Sequence, residues 1–424
     1  MLSHERYICR DSGKWYTKIM HESTQTSPKK VLIIGGGFAG VACARGLARN
    51  PHYEVQLISD SDHFKYYPAL YSSATGHSSL ESWIPLETLL ADVPQVQLAQ
   101  ATIKSIDPAA HTLTDEAGKT YTYDIAVLAL GVVTSYFGVP GLEQYSYGIK
   151  SMEGVLKLRD HLHKELVDTG HPDKNYCVVG AGPTGVELAA ALVSYLRRIA
   201  MRHGLPHEQI TIDLIEAAPR ILPRSGERAS AAVAHRLTKL GVNIMTGKQV
   251  QGESPDTLMV GGRPLPTETV IWTAGVTNNP FFAANADKFK ADDHHKIVVD
   301  EHMMAAPDVF VLGDNASTPY SGLAQIAVGD GKFLADHLAR LASGRALQPR
   351  RFHRPITAIP VGKNWAVAEY APFTVTGWLV HLARRAADFI GYWDITSLGT
   401  AFMLWKSESS TEENCAICRE NQKK

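Results

Sequence analysis

KKVLIIGGGFAGVACARGLARN, residues 29–50, decides the fold. Residues 31–34 are a short apolar run of the kind that forms one buried parallel strand. Gly35, Gly37 and Gly40 follow in G-x-G-x-x-G spacing, and residues 38–49 read as a helix. The next strand is YEVQLIS, ending at Ser59. The glycines therefore stand between a strand and a helix inside a βαβ unit, the context in which this spacing signals a dinucleotide site. Gly35 permits the tight turn, Gly37 lets a pyrophosphate approach the backbone, and Gly40 lets the helix pack on the strand. The helix N-terminus offers unpaired N–H groups and the positive end of a dipole to the phosphates. An acidic residue that binds ribose hydroxyls is expected about 20 positions on. That count reaches Ser59 and Asp60, so the acidic partner is absent or shifted by one.

A second copy lies downstream. Residues 175–179 (NYCVV) read as a strand, and Gly180, Gly182 and Gly185 repeat the spacing in GAGPTGVELAAALVSYL. A helix follows, then a strand over residues 210–215 that runs into Glu216. One such unit suggests a dehydrogenase. Two suggest a flavoprotein that takes a hydride from a nicotinamide. Residues 124–131 (DIAVLALG) and 269–275 (TVIWTAG) are apolar strands closing on Gly131 and Gly275, each at a comparable distance behind one of the units. Residues 309–314 (VFVLGD) are a third strand of this kind, through Gly313 to Asp314, with a helix expected over 324–341.

The expected class is α/β, with two Rossmann-like dinucleotide-binding domains and a C-terminal segment. Residues 1–29 read as a flexible leader. Residues 30–150 and 286–350 form one discontinuous nucleotide domain, 151–285 an inserted second one, and 351–424 the C-terminal segment with a polar tail. With 42 basic and 43 acidic residues in 424, net charge is near zero, which argues against nucleic acid as a partner. Hydrophobic residues at 45% and charged ones at 20% are a globular balance. The sequence has no apolar run of transmembrane length and no signal-peptide core near its start.

These residues together resemble the two-dinucleotide-binding-domain flavoproteins shaped like glutathione reductase, from Val31 to about Leu341. Within that group the chain looks most like type II NADH dehydrogenase, a peripheral membrane enzyme that reduces quinone without pumping protons. HFKYYPALYSSATG (63–76), GPTGVELAAAL (182–192), GLAQIAVGDGKFLADHL (322–338) and GWLVHLARR (377–385) carry the closer likeness. The resemblance implies FAD on the first glycine loop and NADH on the second. Gly35, Gly37, Phe38, Ala39 and Gly40 would hold the FAD pyrophosphate, with Ser59 or Asp60 at the ribose position. Asp314, after Gly313, is similar to the aspartate that binds the ribityl chain and flavin phosphate, and Gly131 closes a turn beside the flavin. Gly180, Gly182, Pro183 and Gly185 would cradle the NADH pyrophosphate, with Gly275 as the counterpart of Gly131. Glu216 would bind the adenosine ribose, and a carboxylate there repels a 2′-phosphate, which favours NADH over NADPH.

Three residues are candidates for the chemistry. Glu187, placed in the first turn of the second Rossmann helix, is similar to a glutamate that approaches the nicotinamide; the bland alternative is helix-dipole complementarity. Gln325, followed by Ile326, matches the first glutamine of a quinone-side motif AQIAVGDG, whose second glutamine is replaced by Gly329. Backbone N–H groups of that helix N-terminus can still stabilise charge on a reduced flavin. Lys363, in PVGKNWAVAEY, is expected near the flavin. His63 reads as a surface-loop histidine rather than a proton donor.

In the C-terminal segment, Trp378, Leu379, Leu382, Phe389, Ile390 and Trp393 fall on one helical face, and His381, Arg384, Arg385 and Asp388 on the other. That pattern suits an in-plane membrane helix, or a helix docked on the chain's own core or on a second subunit in a homodimer. The implied partners are NADH, a quinone and a membrane surface touched through residues 372–405, with the protein peripheral on the cytoplasmic face. Competing readings are a soluble NAD(P)H-dependent reductase of a small redox protein, and a redox-responsive FAD/NADH-binding interaction protein. Of the five cysteines, Cys43 and Cys177 fall inside Rossmann elements as small hydrophobes. Cys415 and Cys418 form a C-x-x-C in the tail. A zinc site would need two further ligands and none lies close in sequence, so no metal is expected. Neither pair supplies the cysteines by the flavin that disulfide reductases and sulfide:quinone oxidoreductases use.

Overall fold

The apolar run before the first glycine loop becomes β1 (Lys29–Ile34) in the computed structural model, which describes residues 8–11, 14–17, 27–170, 172–370, 372–408, 410–412, 415 and 418. Residues 31–34 are buried on both faces, as a central parallel strand requires. The loop leads into α1 (Phe38–Leu47), and β2 (Tyr53–Ser59), β3 (Gln97–Gln100) and β4 (Ile125–Leu128) follow. The chain then builds a second sheet from β5 (Tyr147–Gly148), β6 (Tyr176–Val179), β7 (Ile212–Glu216), β8 (Val242–Thr246) and β9 (Thr269–Trp272). Its helices are α2 (Met152–Thr169), α3 (Pro183–Arg202) and α4 (Glu227–Leu240). The chain rejoins the first sheet with β10 (Met304–Ala306) and β11 (Val309–Val311), and α5 (Ala324–Ala342) follows.

The first sheet has the order β10-β11-β4-β1-β2-β3, parallel except for β10 against β11. The second has the order β5-β9-β6-β7-β8 and is parallel throughout. In each, the glycine loop leaves the strand where the order reverses, β1 between β2 and β4, β6 between β7 and β9. That crevice is where open α/β sheets bind ligands. Each sheet also carries a three-stranded antiparallel meander at the equivalent point, residues 103–122 after β3 and 250–266 after β8. The halves are joined by Val132–Thr134 pairing antiparallel with Val276–Asn278. Several strands are shorter than their apolar runs suggest. Residues 124–131 give only β4, because the chain turns at Gly131 with φ +68°.

α5 crosses α1 closely enough that a Cβ on Gly331 would lie 2.3 Å from the Ala39 carbonyl oxygen. The C-terminal segment forms β12 (Thr357–Pro360), β13 (Ala366–Tyr370) and β14 (Phe373–Gly377), an antiparallel sheet, then α6 (Trp378–Trp393) and α7 (Leu398–Ser407). It buttresses both halves. Ile359, Val361 and Val367 join the core around α3, while Tyr392, Ile395, Ala401 and Leu404 join the core of the first sheet.

The backbone of Ile8–Asp11 pairs antiparallel with Lys14–Thr17, and the rest of the expected leader before residue 27 lies outside the described residues. Within the polar tail Glu412 is tied down: it accepts from Ser78 Oγ at 2.8 Å and from Ser79 N and Oγ at 3.1 and 2.9 Å. The reason is the short loop before Ser79–Glu81, which offers donors that the carboxylate can satisfy. The faces of α6 are as the periodicity predicts, but their direction is inverted relative to a helix docked on a core. Trp378 is 64% exposed and Leu379 62%, and Leu382, Ile390 and Trp393 are exposed with them. Arg384 ion-pairs with Asp388 on the inner side and donates to the Ala358 carbonyl, and Arg385 meets Glu408. Among the described residues no helix is long and apolar enough to cross a membrane.

Candidate active site

The two glycine loops are built alike. Gly35 has φ +114° and Gly180 φ +101°, values that L-residues rarely adopt. A Cβ on Gly35 would lie 2.2 Å from the Ala129 oxygen, and one on Gly180 2.5 Å from the Ala274 Cα. A Cβ on Gly40 would lie 2.0 Å from the Gly35 oxygen, and one on Gly185 1.8 Å from the Gly180 oxygen. Gly37 and Gly182 differ from these: nothing lies within 4 Å of a Cβ on either. Both are N-caps of their helices, and neither helix has a side-chain cap or an acidic residue in its first turn. An uncapped helix N-terminus behind an open glycine is a cradle for phosphate oxygens. Phe38 and Ala39 open α1 and are buried, and Pro183 opens α3.

Sheet register aligns the two strand ends. Ile34 pairs with Ile58 and Val179 with Ile215, so Ser59 is the equivalent of Glu216 and Asp60 lies one residue beyond. Ser59 is buried, and a Cβ on Gly36 would lie 2.8 Å from its Oγ. Glu216 is held over the second loop: Oε2 accepts from Ala181 N at 2.8 Å and Oε1 from Ala218 N at 2.9 Å.

Between the loops lies a polar junction that sequence reasoning largely missed. Asn315 is fully buried; its Oδ1 accepts from Gly131 N at 2.8 Å, and its Nδ2 donates to Gly131 O and to Asn278 Oδ1, both at 2.6 Å. Asn278 lies three residues beyond Gly275, so one amide ties the turns that close both halves. Asp314, half-buried, accepts from Gly322 N at 2.9 Å. Gly313 N donates to Asp330, a carboxylate with no exposure. Lys150 donates to Gly275 O at 3.3 Å, and burial pulls its ammonium down to about 8, with the Asp314 charge opposing. A crevice of about 550 Å³ runs past it, lined from one half by Lys65 and Tyr67 and from the other by Tyr147 and Lys150. The adjacency of Asn315 to the glycine-aspartate pair was the one available signal. Lys150 had none.

Glu187 sits in the second turn of α3, not the first as expected, because the helix begins at Pro183. It is buried, so dipole complementarity at an exposed terminus does not describe it. Burial pushes its carboxyl up to about 8, and the Arg384 guanidinium opposes the shift. Gln325 and Ile326 lie in the first turn of α5; Ile326 is buried, while Gln325 is exposed and donates to Ile356 O at 3.0 Å. The glycine at 329 has a structural partner. A Cβ there would lie 2.6 Å from Arg350 Nη2, and Arg350 pairs at 2.9 Å with buried Asp330. Lys363 lies in the turn between β12 and β13, beside Gly362 and Asn364, both at positive φ. There its carbonyl accepts from Arg236 on α4 at 3.3 Å. His63 pairs with Asp62 at 2.7 Å and stacks on Trp83.

Residues 29–331 match the model of the pyridine nucleotide-disulphide oxidoreductase family. A relative named type II NADH:quinone oxidoreductase Ndh, from Mycobacterium tuberculosis, is 30% identical over 421 residues, covering 89% of this chain and 90% of that one. The chain belongs to this family, among its type II NADH:quinone oxidoreductases. The fold agrees. The structure of NDH2 from Plasmodium falciparum in complex with NADH matches with TM-score 0.79 at 16% identity, over 89% of this chain and 97% of that one. The sulfide:quinone oxidoreductase of Aquifex aeolicus matches with TM-score 0.73 at 20% identity, over 90% and 91%. The disulphide in the family's description has no counterpart at the first loop of this member. Cys43, in α1, has no exposure and its thiol is pushed up to about 12 by burial. Cys177, in β6, is equally buried and its thiol is likewise pushed up. A buried, protonated thiol is a poor nucleophile.

Proposed function

We propose that the protein oxidises NADH with FAD as its resident cofactor and passes the two electrons to a membrane quinone, without pumping protons. The observation that carries this reading is the pair of equivalent open cradles at Gly37 and Gly182, joined across Gly131, Asn315 and Asn278. The first fits the FAD pyrophosphate, with Gly35, Gly37, Phe38, Ala39 and Gly40 around it and Ser59 rather than Asp60 at the ribose. The second fits NADH, with Gly180, Gly182, Pro183, Gly185 and Glu216. FAD, when bound, supplies hydride acceptance and onward electron transfer. The chain's own residues bind and orient. Asp314 and Gly313 would hold the ribityl and phosphate groups, and Gly131 and Gly275 line the turns between the coenzymes. Backbone N–H groups at Gln325 and Ile326 present a partial positive charge. Lys150 adds a cation that burial makes easy to discharge. Glu187 keeps a proton near neutrality and is placed to hold or release one.

Residues 30–150 with 286–350 serve as the FAD-binding domain in this reading, 151–285 as the NADH-binding domain and 351–424 as the C-terminal segment. The exposed apolar side chains of α6, with Phe373 (71% exposed), Leu398 and Phe402, form the surface that meets the lipid. Gln325 reaches Ile356, itself exposed, at the edge of this surface, which suits an acceptor that arrives from the membrane. The protein would sit peripherally on the cytoplasmic side, where NADH is found.

Anaerobic titration of the purified protein with NADH should bleach the flavin after one equivalent, and menaquinone or ubiquinone analogues should reoxidise it. Flavin that bleaches but is reoxidised only by a small redox protein would replace the quinone half of the reading. Leu382→Glu together with Trp393→Glu should abolish co-sedimentation with anionic vesicles. If those changes instead split a dimer and leave vesicle binding intact, the surface belongs to a second copy of the chain.

A further inference from the structure

The C-x-x-C pair in the tail is not alone in space. The strap over Ser78 and Ser79 carries the chain back to α2 and α3, and there the two cysteines meet two histidines. His163 lies on α2 and His203 is the residue that caps α3. Cys415 Sγ lies 3.5 Å from His203 Nε2. Cys418 Sγ lies 3.6 Å from the same nitrogen and 3.8 Å from His163 Nε2. The four ligand atoms all fall within 4.8 Å of one another.

We propose that His163, His203, Cys415 and Cys418 hold one zinc(II) ion in a closed tetrahedral site that clips the C-terminal tail to α2 and α3.

The three sulfur–nitrogen separations of 3.5, 3.6 and 3.8 Å are close to those that a metal imposes. Zinc bonds of about 2.3 Å to sulfur and 2.0–2.1 Å to nitrogen, at the tetrahedral angle, set sulfur and nitrogen about 3.6 Å apart. Donor type points to the same ion. Two thiolates and two imidazoles form a neutral complex with a divalent cation, and this set with no open position is the make-up of a structural zinc site. Cys418 is buried and the other three are half-buried, so the site is shielded without being sealed. Arg202 donates to the Cys418 carbonyl at 2.7 Å, and Arg159 to the Glu412 carbonyl at 3.3 Å. These contacts hold the tail in register. Binding releases the two thiol protons to solvent, so affinity rises with pH. His203 and Cys415 stand 212 residues apart, so the clip closes a long loop. That loop includes α6 and α7, and the clip fixes the end of the apolar surface segment to the second nucleotide half.

The test is metal analysis of the flavin-loaded protein grown with zinc in the medium and dialysed against a weak chelator. We expect about one zinc per chain. Cobalt(II), exchanged into the same protein, should show intense tetrahedral d–d bands and a thiolate charge-transfer band. Cys415→Ser with Cys418→Ser should lower bound zinc at least tenfold, while flavin content and bleaching by NADH stay unchanged. If that variant does not fold, His203→Gln and stripping of the wild-type protein with refilling by zinc alone give the same reading: one equivalent restores the melting temperature lost on stripping. The proposal is overturned by a zinc-free wild-type protein that gives no cobalt charge-transfer band, by a Cys415–Cys418 disulfide found by non-reducing mass analysis, or by a full zinc complement retained in the double serine variant.

Discussion

The first glycine loop has a serine beneath its turn and the second a glutamate, although both turns start on the same backbone bond, Gly35 N to Ile58 O and Gly180 N to Ile215 O, each at 2.8 Å. Ser59 and Glu216 occupy the same register, one residue past the strand pair that feeds each loop. The backbone therefore solves a problem common to both sites, which is how to let a pyrophosphate touch a helix N-terminus. The side chain at the strand end solves a different one, which is how to tell dinucleotides apart. Under the proposed assignment, a carboxylate already held by Ala181 N and Ala218 N at 2.8 and 2.9 Å would present its remaining lone pairs to ribose hydroxyls and reject a phosphate. A small buried hydroxyl makes no such demand on the coenzyme in the first site.

The most damaging way to probe this comparison is to inflict the same lesion on both loops. Gly35→Ala and Gly180→Ala each force a Cβ into backbone at 2.2 and 2.5 Å and place a side chain at positive φ. Strain of this kind costs about 1–3 kcal/mol from the dihedral alone, with the clash added. The lost ligand should differ. Gly35→Ala should be purified with little flavin and a lowered melting temperature. Gly180→Ala should keep its flavin, while the NADH concentration needed to bleach it rises at least tenfold. Loss of flavin from both variants would mean that the two halves do not bind independently.

Glu187 sharpens the contrast, since the first half has no buried carboxylate at the matching place: Ala42 of α1 sits two residues after Gly40, as Glu187 does after Gly185. Burial raises the Glu187 carboxyl from 4.5 to about 8, so between those values the folded chain keeps a proton that the unfolded chain has released. Its contribution to stability is whole below pH 4.5, falls as pH rises, and is lost by the time pH passes about 8. The loss is at most roughly 5 kcal/mol, from about 1.4 kcal/mol per unit. Glu187→Gln should therefore flatten the decline of denaturation midpoint between pH 5 and 8 and leave the variant the more stable protein above it. The same change should slow flavin reduction by NADH. Parallel stability curves would show that the carboxyl does not titrate in this range.

A smaller effect is expected from Glu216→Ala. It removes the carboxylate but neither glycine, so flavin content should hold. The ratio of NADH to NADPH efficiency should fall about tenfold, the equivalent of about 1.4 kcal/mol of discrimination. Ser59→Ala, the matching change in the first loop, should leave that ratio untouched. A shift in nucleotide preference from Ser59→Ala would undo the assignment of the loops.

What could be read in the sequence was what local geometry encodes. The glycine spacings, their strands and helices, and the two-sheet plan are set by neighbours within about 20 residues, and those were legible. Counting could not separate Ser59 from Asp60, because only the pairing of Ile34 with Ile58 fixes where the strand ends. Periodicity found both faces of α6 but not which faces out. That depends on Arg384 donating to Ala358 O on β12, a contact invisible along the helix. Asn315, Lys150 and Arg350 act through partners more than a hundred residues away or through a turn of uncertain path. The histidines beside the tail cysteines, at 163 and 203, lie more than two hundred residues upstream, beyond the reach of spacing.

The smallest effect expected is at Cys43, and its smallness is informative. The thiol lies on α1 beside the first loop, where a redox-active cysteine would have to be if this member used one. It has no exposure, and burial pushes it up to about 12, so at neutral pH it is a thiol rather than a thiolate. Electron transfer through it would require deprotonation against that burial and a second sulfur beside it. Among the described cysteines the others are at 177, 415 and 418, the first in the opposite half and the last two with His203. Cys43→Ala removes one sulfur from a packed helix crossing and should cost about 1 kcal/mol through the small void it leaves. Rates of flavin reduction and reoxidation should remain within twofold of the parent. The native protein should also resist alkylation at this position until it is unfolded. A collapse of flavin reduction in Cys43→Ala, with flavin content and melting temperature preserved, would put the thiol in the electron path and return disulphide chemistry to the first half.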